Sequence, residues 1–323
     1  MQRPKAVTPL NQQMPKLACP PTLARRDLIS LHDLTPPEVD YLLKLAQDVK
    51  AAPGSYLNAL AGRSAAMILE KPNLSTRVTV ELAINELGGR AVNLSPEDAG
   101  LGTTDAIRDL ARNLSGWVDA IVARVLFHQT ATELAEHATV PVINGLSNFE
   151  HPCQALADYM TLFECRGTLA NVTLAWVGDG NNVAHSLIYG AARMGVRMRI
   201  ATPPGYEPDR SVIADARREG GDVTLTHDPE AAVAGADAIY TDVWTSVGME
   251  HEAETRQEAF RYYQVNERLM RAAGPQALFM HCQPARRGEE VAAEVFESHR
   301  SVVSAQSENR LHMQKAIFLA LLS

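Results

Sequence analysis

The sequence predicts an α/β protein of two doubly wound parallel-sheet domains, joined by a helix, with a C-terminal helix docking back on the body. Three observations support this class. The chain has 323 residues, which suits two domains better than one. Its hydrophobic fraction of 46% is ample for packed cores, and no apolar run reaches the roughly 18 residues of a membrane span. Strand-like apolar runs alternate with helical patterns, which is typical of right-handed βαβ units.

Composition changes along the chain predict the domain limits. Residues 1–25 contain many Pro and Gln residues and no apolar signal-peptide core, so we expect a flexible tail. Residues 26–150 form the first predicted domain and residues 151–305 the second. Residues 306–323 are expected to form a helix that packs on the first domain.

The first domain opens with a helix. Residues Thr35–Glu38 form a capping box with Pro36 at the first helical position, and the helix should run to about Lys50. An apolar run at Ala65–Leu69 predicts a buried strand. The other elements predicted in this half are strands at 91–94, 120–123 and 140–143 and helices over about 104–115 and 130–137.

The turn after the strand at Ala65–Leu69 predicts an anion site. Pro72 and Asn73 precede a helix whose first turn contains Ser75, Thr76 and Arg77. Unpaired backbone N–H groups, hydroxyls and a cation at the positive end of a helix suit phosphate. An ordinary helix cap followed by a surface arginine remains an alternative at this point. The apolar face of this helix is predicted to contain Val78, Leu82, Ala83 and Leu87, and the helix should end at Gly88–Gly89.

The second half repeats the alternation. A helix is predicted to begin at His151–Pro152 and to connect the two domains. Strands are predicted at 172–177, 197–201, 223–226, 238–241 and 277–280, with a last helix over about 306–322. Thr202, Asp242 and His281 follow three of these strands, where ligands of parallel sheets collect.

Charge and cysteine usage exclude several classes of protein. The net charge is −8 and the pI about 5.7, which argues against nucleic-acid binding. The four cysteines lack metal-ligand pairing and any secretory context, so we expect reduced thiols and a cytoplasmic protein. The histidines show no ligand spacing, and no metal site is expected.

Individual motifs have ordinary structural explanations. The turn Gly178–Val183 lacks the third glycine of a dinucleotide fingerprint, which disfavours a nicotinamide cofactor. Asp242 alone is as well explained as a turn or cap residue, and His151 as a hydrogen-bonded structural histidine. Cys282 is a candidate nucleophile, but a small, partly buried thiol is the simpler interpretation.

Read together, the motifs carry a family signature. Over residues 27–322 the chain resembles the aspartate/ornithine carbamoyltransferase family, specifically its ornithine branch. The matching segments, in chain order, are Leu69–Pro72, Ala123–Val125, Asn144–Ser147, His151–Asp158, Trp176–Asn182, Ala201–Pro208, Asp242–Ser246, His281–Pro284 and Glu308–Arg310.

The resemblance implies transfer of a carbamoyl group from carbamoyl phosphate to ornithine, without a cofactor, membrane or nucleic acid, in a homotrimer or a multiple of trimers. The first domain would bind carbamoyl phosphate and the second the amino acid. The implied carbamoyl-phosphate ligands are Asn73, Ser75, Thr76, Arg77, Arg124, His151, Gln154 and Arg310. The implied amino-acid ligands are Asn182, Asp242, Ser246, Val247, Cys282 and Gln283. Catalysis would fall to Arg124, His151, Gln154, Cys282 and Arg310.

The chain departs from the family pattern at the phosphate loop. An ungapped placement puts Asn73 at the family's serine and Ser75 at its first, phosphate-contacting arginine. An alignment shifted by two residues would require a two-residue deletion within the helix. That deletion would turn the buried face of the helix by about 200°, so the ungapped alignment is preferred. One lost charge-assisted contact is worth roughly 1.5–3 kcal/mol.

Two further departures are Val247 in place of a methionine and Gln283 in place of a leucine. The departures leave two alternatives. One is a carbamoyltransferase for another amine or carbamoyl donor. The other is a catalytically weak homologue with a binding or structural role.

Overall fold

Two parallel sheets form the frame of the protein. The computed structural model describes residues 23–71, 73–101, 104–246 and 248–323. The strands of the first sheet are β1 (Ser64–Leu69), β2 (Arg90–Leu94), β3 (Ala120–Arg124) and β4 (Val142–Leu146). Those of the second are β5 (Thr173–Val177), β6 (Arg197–Ala201), β7 (Val223–Thr226), β8 (Ala238–Thr241) and β9 (Leu278–His281).

Both sheets are doubly wound. The spatial order is β2-β1-β3-β4 in the first sheet and β7-β6-β5-β8-β9 in the second. All paired strands are parallel. In each sheet the chain crosses from the first strand to both sides, so the carboxyl ends of neighbouring strands open a crevice where ligands bind. The predicted fold class is confirmed.

Helices cover both sheets. In the first half they are α1 (Pro36–Ala51), α2 (Leu74–Glu86), α3 (Pro96–Ala99), α4 (Thr104–Ser115) and α5 (His128–His137). The second half has α6 (Pro152–Arg166), α7 (Asn182–Met194), α8 (Arg210–Arg218), α9 (Pro229–Val233), α10 (Ala253–Phe260), α11 (Glu267–Ala273), α12 (Ala293–Phe296) and α13 (Val303–Leu322). None of the helices in the described ranges is long and apolar enough to cross a bilayer.

The last helix ties the two halves together. α13 packs against α1 and α2 on the first half, and against α6, which connects the sheets in sequence. It begins at Val303, one turn earlier than predicted. Its buried side chains include Met313, Ile317 and Phe318, which join the same apolar core as α1 and α6.

The buried face predicted for α2 is partly wrong. Val78 and Leu82 are each 41% exposed, whereas Val80, Ala83 and Ile84 are buried. The helix carries two apolar stripes, and periodicity alone does not say which one meets the rest of the protein. Because α13 and β2 pack against α2, the stripe that contains Val80, Ala83 and Ile84 is the buried one.

Two strand boundaries also differ from the prediction. β4 starts at Val142 rather than Val140, because Val142 is the residue paired with Ile121 of β3. β9 includes His281, so this histidine belongs to the strand instead of following it. Most of the tail predicted over residues 1–25 lies outside the described residues, as do Pro72 and Val247.

Candidate active site

A cleft of about 910 Å³ lies at the carboxyl ends of the strands of both sheets. Its walls are the segments that follow β1, β3, β4, β5, β6, β8 and β9, together with Arg256 of α10 and Arg310 of α13. The lining includes Arg124–Phe127, Leu146–Asn148, Asp179–Val183, Cys282–Pro284 and Arg310.

Two arginines from distant parts of the chain meet at one end of the cleft. Arg124 ends β3 and Arg310 projects from α13. Their guanidinium groups donate to the same hydroxyl, Oγ1 of Thr76, over 3.1 and 3.3 Å. Among the described residues neither arginine has a carboxylate partner within 4.0 Å. Burial and the neighbouring Arg310 lower the pKa of Arg124 to about 10, and burial lowers the pKa of Arg310. This end of the cleft therefore carries unbalanced positive charge.

The start of α2 contributes part of the predicted anion site. Asn73 lines the cleft and caps the helix, since its Oδ1 accepts the N–H of Thr76 at 2.8 Å. Ser75 is exposed and does not line the cleft. Arg77 also points away: its side chain is 61% exposed and lies 4.0 Å from Glu81. The structure thus brings Arg124 and Arg310 together but leaves Arg77 outside.

Lys71 lines the cleft as well, immediately before α2. Lys71 and Arg108 are the two candidates to replace the family arginine whose position Ser75 occupies. Arg108 instead lies 3.4 Å from His137 and does not line the cleft. Lys71 is therefore the additional cation on this wall.

His151 lines the cleft as the N-cap of α6, and Gln154 lies in the first turn of the same helix. His151 is 4% exposed, and burial together with Arg310 and Arg124 lowers its pKa well below the usual value. Gln154 is 1% exposed and donates to Asp158 Oδ1 over 2.8 Å, without lining the cleft. Within the described part of the chain, His151 Nδ1 and Gln154 Oε1 have no hydrogen-bond partner. Buried polar atoms without a protein partner usually form a hydrogen bond with a ligand or an ordered water.

The other end of the cleft is built around a carboxylate. Asp242 follows β8 and accepts hydrogen bonds from the Cys282 thiol (3.0 Å) and from the Asn181 amide (2.8 Å). Burial, with Asp242 next to it, raises the pKa of Cys282 well above its usual value. A thiol that stays protonated is a poor nucleophile, so the structure does not support a nucleophilic Cys282.

Three of the remaining predicted amino-acid ligands line the same cleft as Asp242. Asn182 lines the cleft and donates to the Ser147 carbonyl over 2.7 Å. Ser246 and Gln283 also line it, and Val247 lies outside the described residues. The sequence analysis did not name Asn181. An asparagine immediately before a helix is a typical N-cap, and this pattern could have identified Asn181 as an ordered residue at the start of α7.

The glycine-rich turn after β5 has a packing explanation. A Cβ on Gly180 would lie 2.2 Å from the backbone nitrogen of Pro208, and Gly180 donates its N–H to Tyr206 at 2.9 Å. The glycine is needed because another loop crosses directly over this turn. A dinucleotide is not required to explain it.

A third arginine in the cleft is also absent from the sequence analysis. Arg256 of α10 forms ion pairs with Asp179 (3.0 Å) and Glu252 (2.9 Å) and donates to the Trp244 carbonyl (3.0 Å). Burial raises the pKa of Asp179 to about 6, although Arg256 opposes the shift. The sequence offered the i,i+4 pair with Glu252 as a signal for Arg256, but the pair with the distant Asp179 could not be read from it.

One cluster of possible metal ligands occurs in the described ranges, formed by Asp242, His281 and Cys282 with ligand atoms within 4.8 Å of one another. Each of these groups already has a hydrogen-bond partner. The His281 Nδ1 accepts the N–H of Gln283 at 2.8 Å, and Nε2 lies 3.2 Å from Glu290. The Cys282 thiol donates to Asp242. Hydrogen bonding therefore accounts for the cluster.

Two family models match nearly the whole chain. The first, described as "Aspartate/ornithine carbamoyltransferase, carbamoyl-P binding domain", matches residues 26–164. The second, described as "Aspartate/ornithine carbamoyltransferase, Asp/Orn binding domain", matches residues 170–321.

Full-length relatives agree with these matches. The chain is 50% identical over 307 residues to ornithine carbamoyltransferase of Pyrococcus abyssi, covering 93% of this chain and 97% of that one. It is 51% identical over 302 residues to the anabolic ornithine carbamoyltransferase of Pyrococcus furiosus, covering 92% and 96%.

Solved structures give the same result. The Pyrococcus furiosus ornithine carbamoyltransferase superposes with a TM-score of 0.87 at 50% identity, over 91% of this chain and 96% of that one. The Thermus thermophilus enzyme superposes with a TM-score of 0.85 at 44% identity, over 93% and 99%.

Proposed function

This chain belongs to the aspartate/ornithine carbamoyltransferase family, and we propose that it transfers the carbamoyl group of carbamoyl phosphate to the δ-amine of L-ornithine. The products are L-citrulline and phosphate. One observation carries the proposal most directly: Arg124 and Arg310 share Thr76 and have no carboxylate partner in the described ranges, while Asp242 stands in the same cleft. A dianion at one end and an ammonium group at the other fit this charge distribution.

The phosphate is proposed to bind at the arginine pair. Two guanidinium groups that remain protonated can each make bidentate contacts with phosphate oxygens. Asn73 and Lys71 add a helix N-terminus and a further cation on the same wall. We propose that Lys71 partly replaces the family arginine whose position Ser75 occupies.

The carbamoyl group is proposed to lie against His151 and Gln154. As the amine attacks, negative charge develops on the carbonyl oxygen, and Arg124, Arg310 and a neutral His151 stabilise it. The unpartnered Oε1 of Gln154 would accept a hydrogen bond from the carbamoyl NH₂. The backbone carbonyls of Cys282 and Gln283 would accept the others.

The acceptor amino acid is proposed to bind at Asp242. Its carboxylate would pair with the α-ammonium group of ornithine, while Asn182 and Ser246 hold the rest of the amino-acid end. This places the δ-amine toward the carbamoyl carbon, so the chain supplies orientation rather than covalent catalysis. Val247 and Gln283 complete the proposed set.

We propose further that the protein is a cytoplasmic homotrimer. An apolar stripe on the outer face of α2 supports association between copies: Leu74 is 78% exposed, and Val78 and Leu82 are each 41% exposed. Apolar side chains in a row at helical spacing are typical of a covered surface. The stripe starts beside Asn73, so an interface there would lie near the phosphate end of the cleft.

Citrulline formation tests the proposed function. Purified protein is incubated with carbamoyl phosphate and ornithine, and citrulline is measured, with Arg310→Gln as the matched low-activity control. We expect turnover by the wild-type protein and a far lower rate from the variant. Undetectable citrulline from folded protein would overturn the ornithine assignment, and turnover of another amine would favour a retuned carbamoyltransferase.

A further inference from the structure

A buried carboxylate–imidazole pair lies behind the cleft wall formed by Cys282 and Gln283. The side chains of His281 and Glu290 are both 0% exposed, and His281 Nε2 lies 3.2 Å from Glu290 Oε1. Neither residue lines the cleft. The mechanism proposed above makes no use of this pair.

The hydrogen bonds determine the tautomer of His281. Its Nδ1 accepts the backbone N–H of Gln283 at 2.8 Å, so this nitrogen carries no proton. The proton is therefore on Nε2, which donates to the Glu290 carboxylate. The ring connects a buried acid on one side to a single peptide N–H on the other.

That N–H belongs to the peptide unit whose carbonyl is that of Cys282. The unit is trans, and in a planar trans peptide the C=O points opposite to the N–H. Because the N–H points to the buried ring, the Cys282 carbonyl points away from it. Cys282 itself lines the cleft. A hydrogen bond to the N–H also makes the carbonyl of the same peptide a stronger acceptor.

Glu290 holds this segment at a second point. The same oxygen, Oε1, accepts the N–H of Arg286 at 2.5 Å. Between the two ties, Gln283 has a φ of 62°, in the left-handed region that residues other than glycine rarely occupy. Such a conformation persists when surrounding contacts over-determine it. Oε2 of Glu290 has no partner among the described residues, so the known contacts of this carboxylate converge on Oε1.

We infer that Glu290 and His281 are positioning residues that orient and polarise the Cys282 carbonyl toward the carbamoyl NH₂. The relay runs from the Glu290 carboxylate through the His281 ring and the Gln283 N–H to that carbonyl. Neither side chain touches substrate. The inference rests on the proposed function, because it assigns the carbonyl to the carbamoyl group.

The substitution Glu290→Gln tests the relay, since it removes the charge and keeps an oxygen that accepts from His281 and Arg286. Binding of carbamoyl phosphate and of inorganic phosphate is measured by calorimetry, together with the kcat for citrulline. We expect carbamoyl-phosphate affinity and kcat to fall roughly tenfold. Phosphate affinity should stay within about twofold, because phosphate lacks the NH₂ group. The neighbouring Glu289→Gln, on a half-buried side chain paired with Arg286, is the control and should leave all three unchanged.

A second variant keeps the inference falsifiable if Glu290→Gln does not fold. In His281→Asn the amide oxygen can accept the Gln283 N–H in place of Nδ1, but the side chain is too short to reach Glu290. We expect the same selective loss of carbamoyl-phosphate affinity, and no further loss in the double variant. Wild-type behaviour, or equal weakening of phosphate and carbamoyl phosphate, would overturn the inference. A wild-type protein that binds carbamoyl phosphate and forms no citrulline would overturn the proposed acceptor instead, and the binding comparison would still decide the relay.

Discussion

The cleft contains arginines in two opposite states of charge balance. Arg124 and Arg310 share one neutral hydroxyl, and in the described ranges no carboxylate lies within 4.0 Å of either. Arg256, in the same cleft, forms ion pairs with Asp179 and Glu252 and packs over the Tyr206 ring at 5.1 Å. Arg124 and Arg310 are therefore able to bind an external anion, whereas Arg256 is already paired with two carboxylates of the protein.

The comparison shows that an arginine's role depends on its partners more than on its location. Burying Arg124 next to a second guanidinium group without a counter-ion costs stability, and burial and Arg310 lower the pKa of Arg124 to about 10. We propose that phosphate binding at this pair offsets that cost. Arg256 instead stabilises the loops that frame the acceptor end, so it should act on folding and on ornithine binding.

The largest expected effect comes from removing one unbalanced arginine. In Arg310→Gln we expect kcat/KM to fall roughly 10²–10³-fold, because a charge at the developing oxyanion and phosphate is lost. Steady-state citrulline assays measure the change. Arg77→Gln, on the exposed face of α2, is the matched control and should stay within about twofold of wild type. An equal loss in both variants would contradict the distinction between the two positions.

Removing the balanced arginine should affect stability instead. Arg256→Gln leaves the buried Asp179 carboxylate unpaired, and we expect the free energy of unfolding to fall by about 3 kcal/mol. Urea denaturation measures it. The exposed pair Arg268–Glu230, at 2.9 Å, gives the control Arg268→Gln, which should cost less than about 1 kcal/mol. Phosphate affinity should survive in Arg256→Gln, and its loss would show that the two arginine sites are not separate.

Placing an arginine at position 75, where the chain departs from the family pattern, should raise the affinity for phosphate. Ser75 lies in the first turn of α2, so Ser75→Arg should raise phosphate affinity roughly tenfold through one new charge-assisted bond. Calorimetry with inorganic phosphate measures the gain. Thr79→Arg, one turn further along the same helix, controls for the added charge alone. Equal affinities in these two variants would mean that Lys71 already compensates fully.

The smallest expected effect is a pH signature of His151. Burial and the two arginines lower its pKa well below 6.5, and a bound phosphate dianion should raise it by opposing their field. Since the unfolded chain takes up this proton first, the free energy of unfolding should decrease as pH falls below about 6.5. Saturating phosphate should reduce that decrease. NMR titration of the His151 ring, assigned with His151→Gln, measures the shift, and an unchanged pKa with phosphate would contradict the placement.

Local sequence signals predicted the elements and their order well. Alternating apolar runs located the strands, and Pro152 after His151 marked the start of α6. The residues after the strands were found because parallel strands all end at the same edge of a sheet. These signals depend on a few neighbouring residues, which is why they could be read from the chain.

What could not be predicted depends on contacts between distant segments. Which stripe of α2 is buried is decided by α13, more than 200 positions away in the sequence. The exposure of Arg77 follows from the orientation of α2 that this packing sets. The pairing of Arg256 with Asp179 joins distant segments, and the bond between Glu290 and His281 depends on how the chain folds back after β9. Contacts between distant segments produce no regular spacing in the sequence, so the residues that make them cannot be identified from periodicity.

The placement of Arg310 on α13 has a consequence for biosynthesis. During translation the first sheet, with Thr76 and Arg124, emerges long before the helix that completes the guanidinium pair. A nascent or prematurely terminated polypeptide could assemble that sheet and still lack half of its anion-binding charge. The proposed role of Arg310 therefore predicts that full turnover is reached only after synthesis has passed this residue and α13 has folded back across both halves.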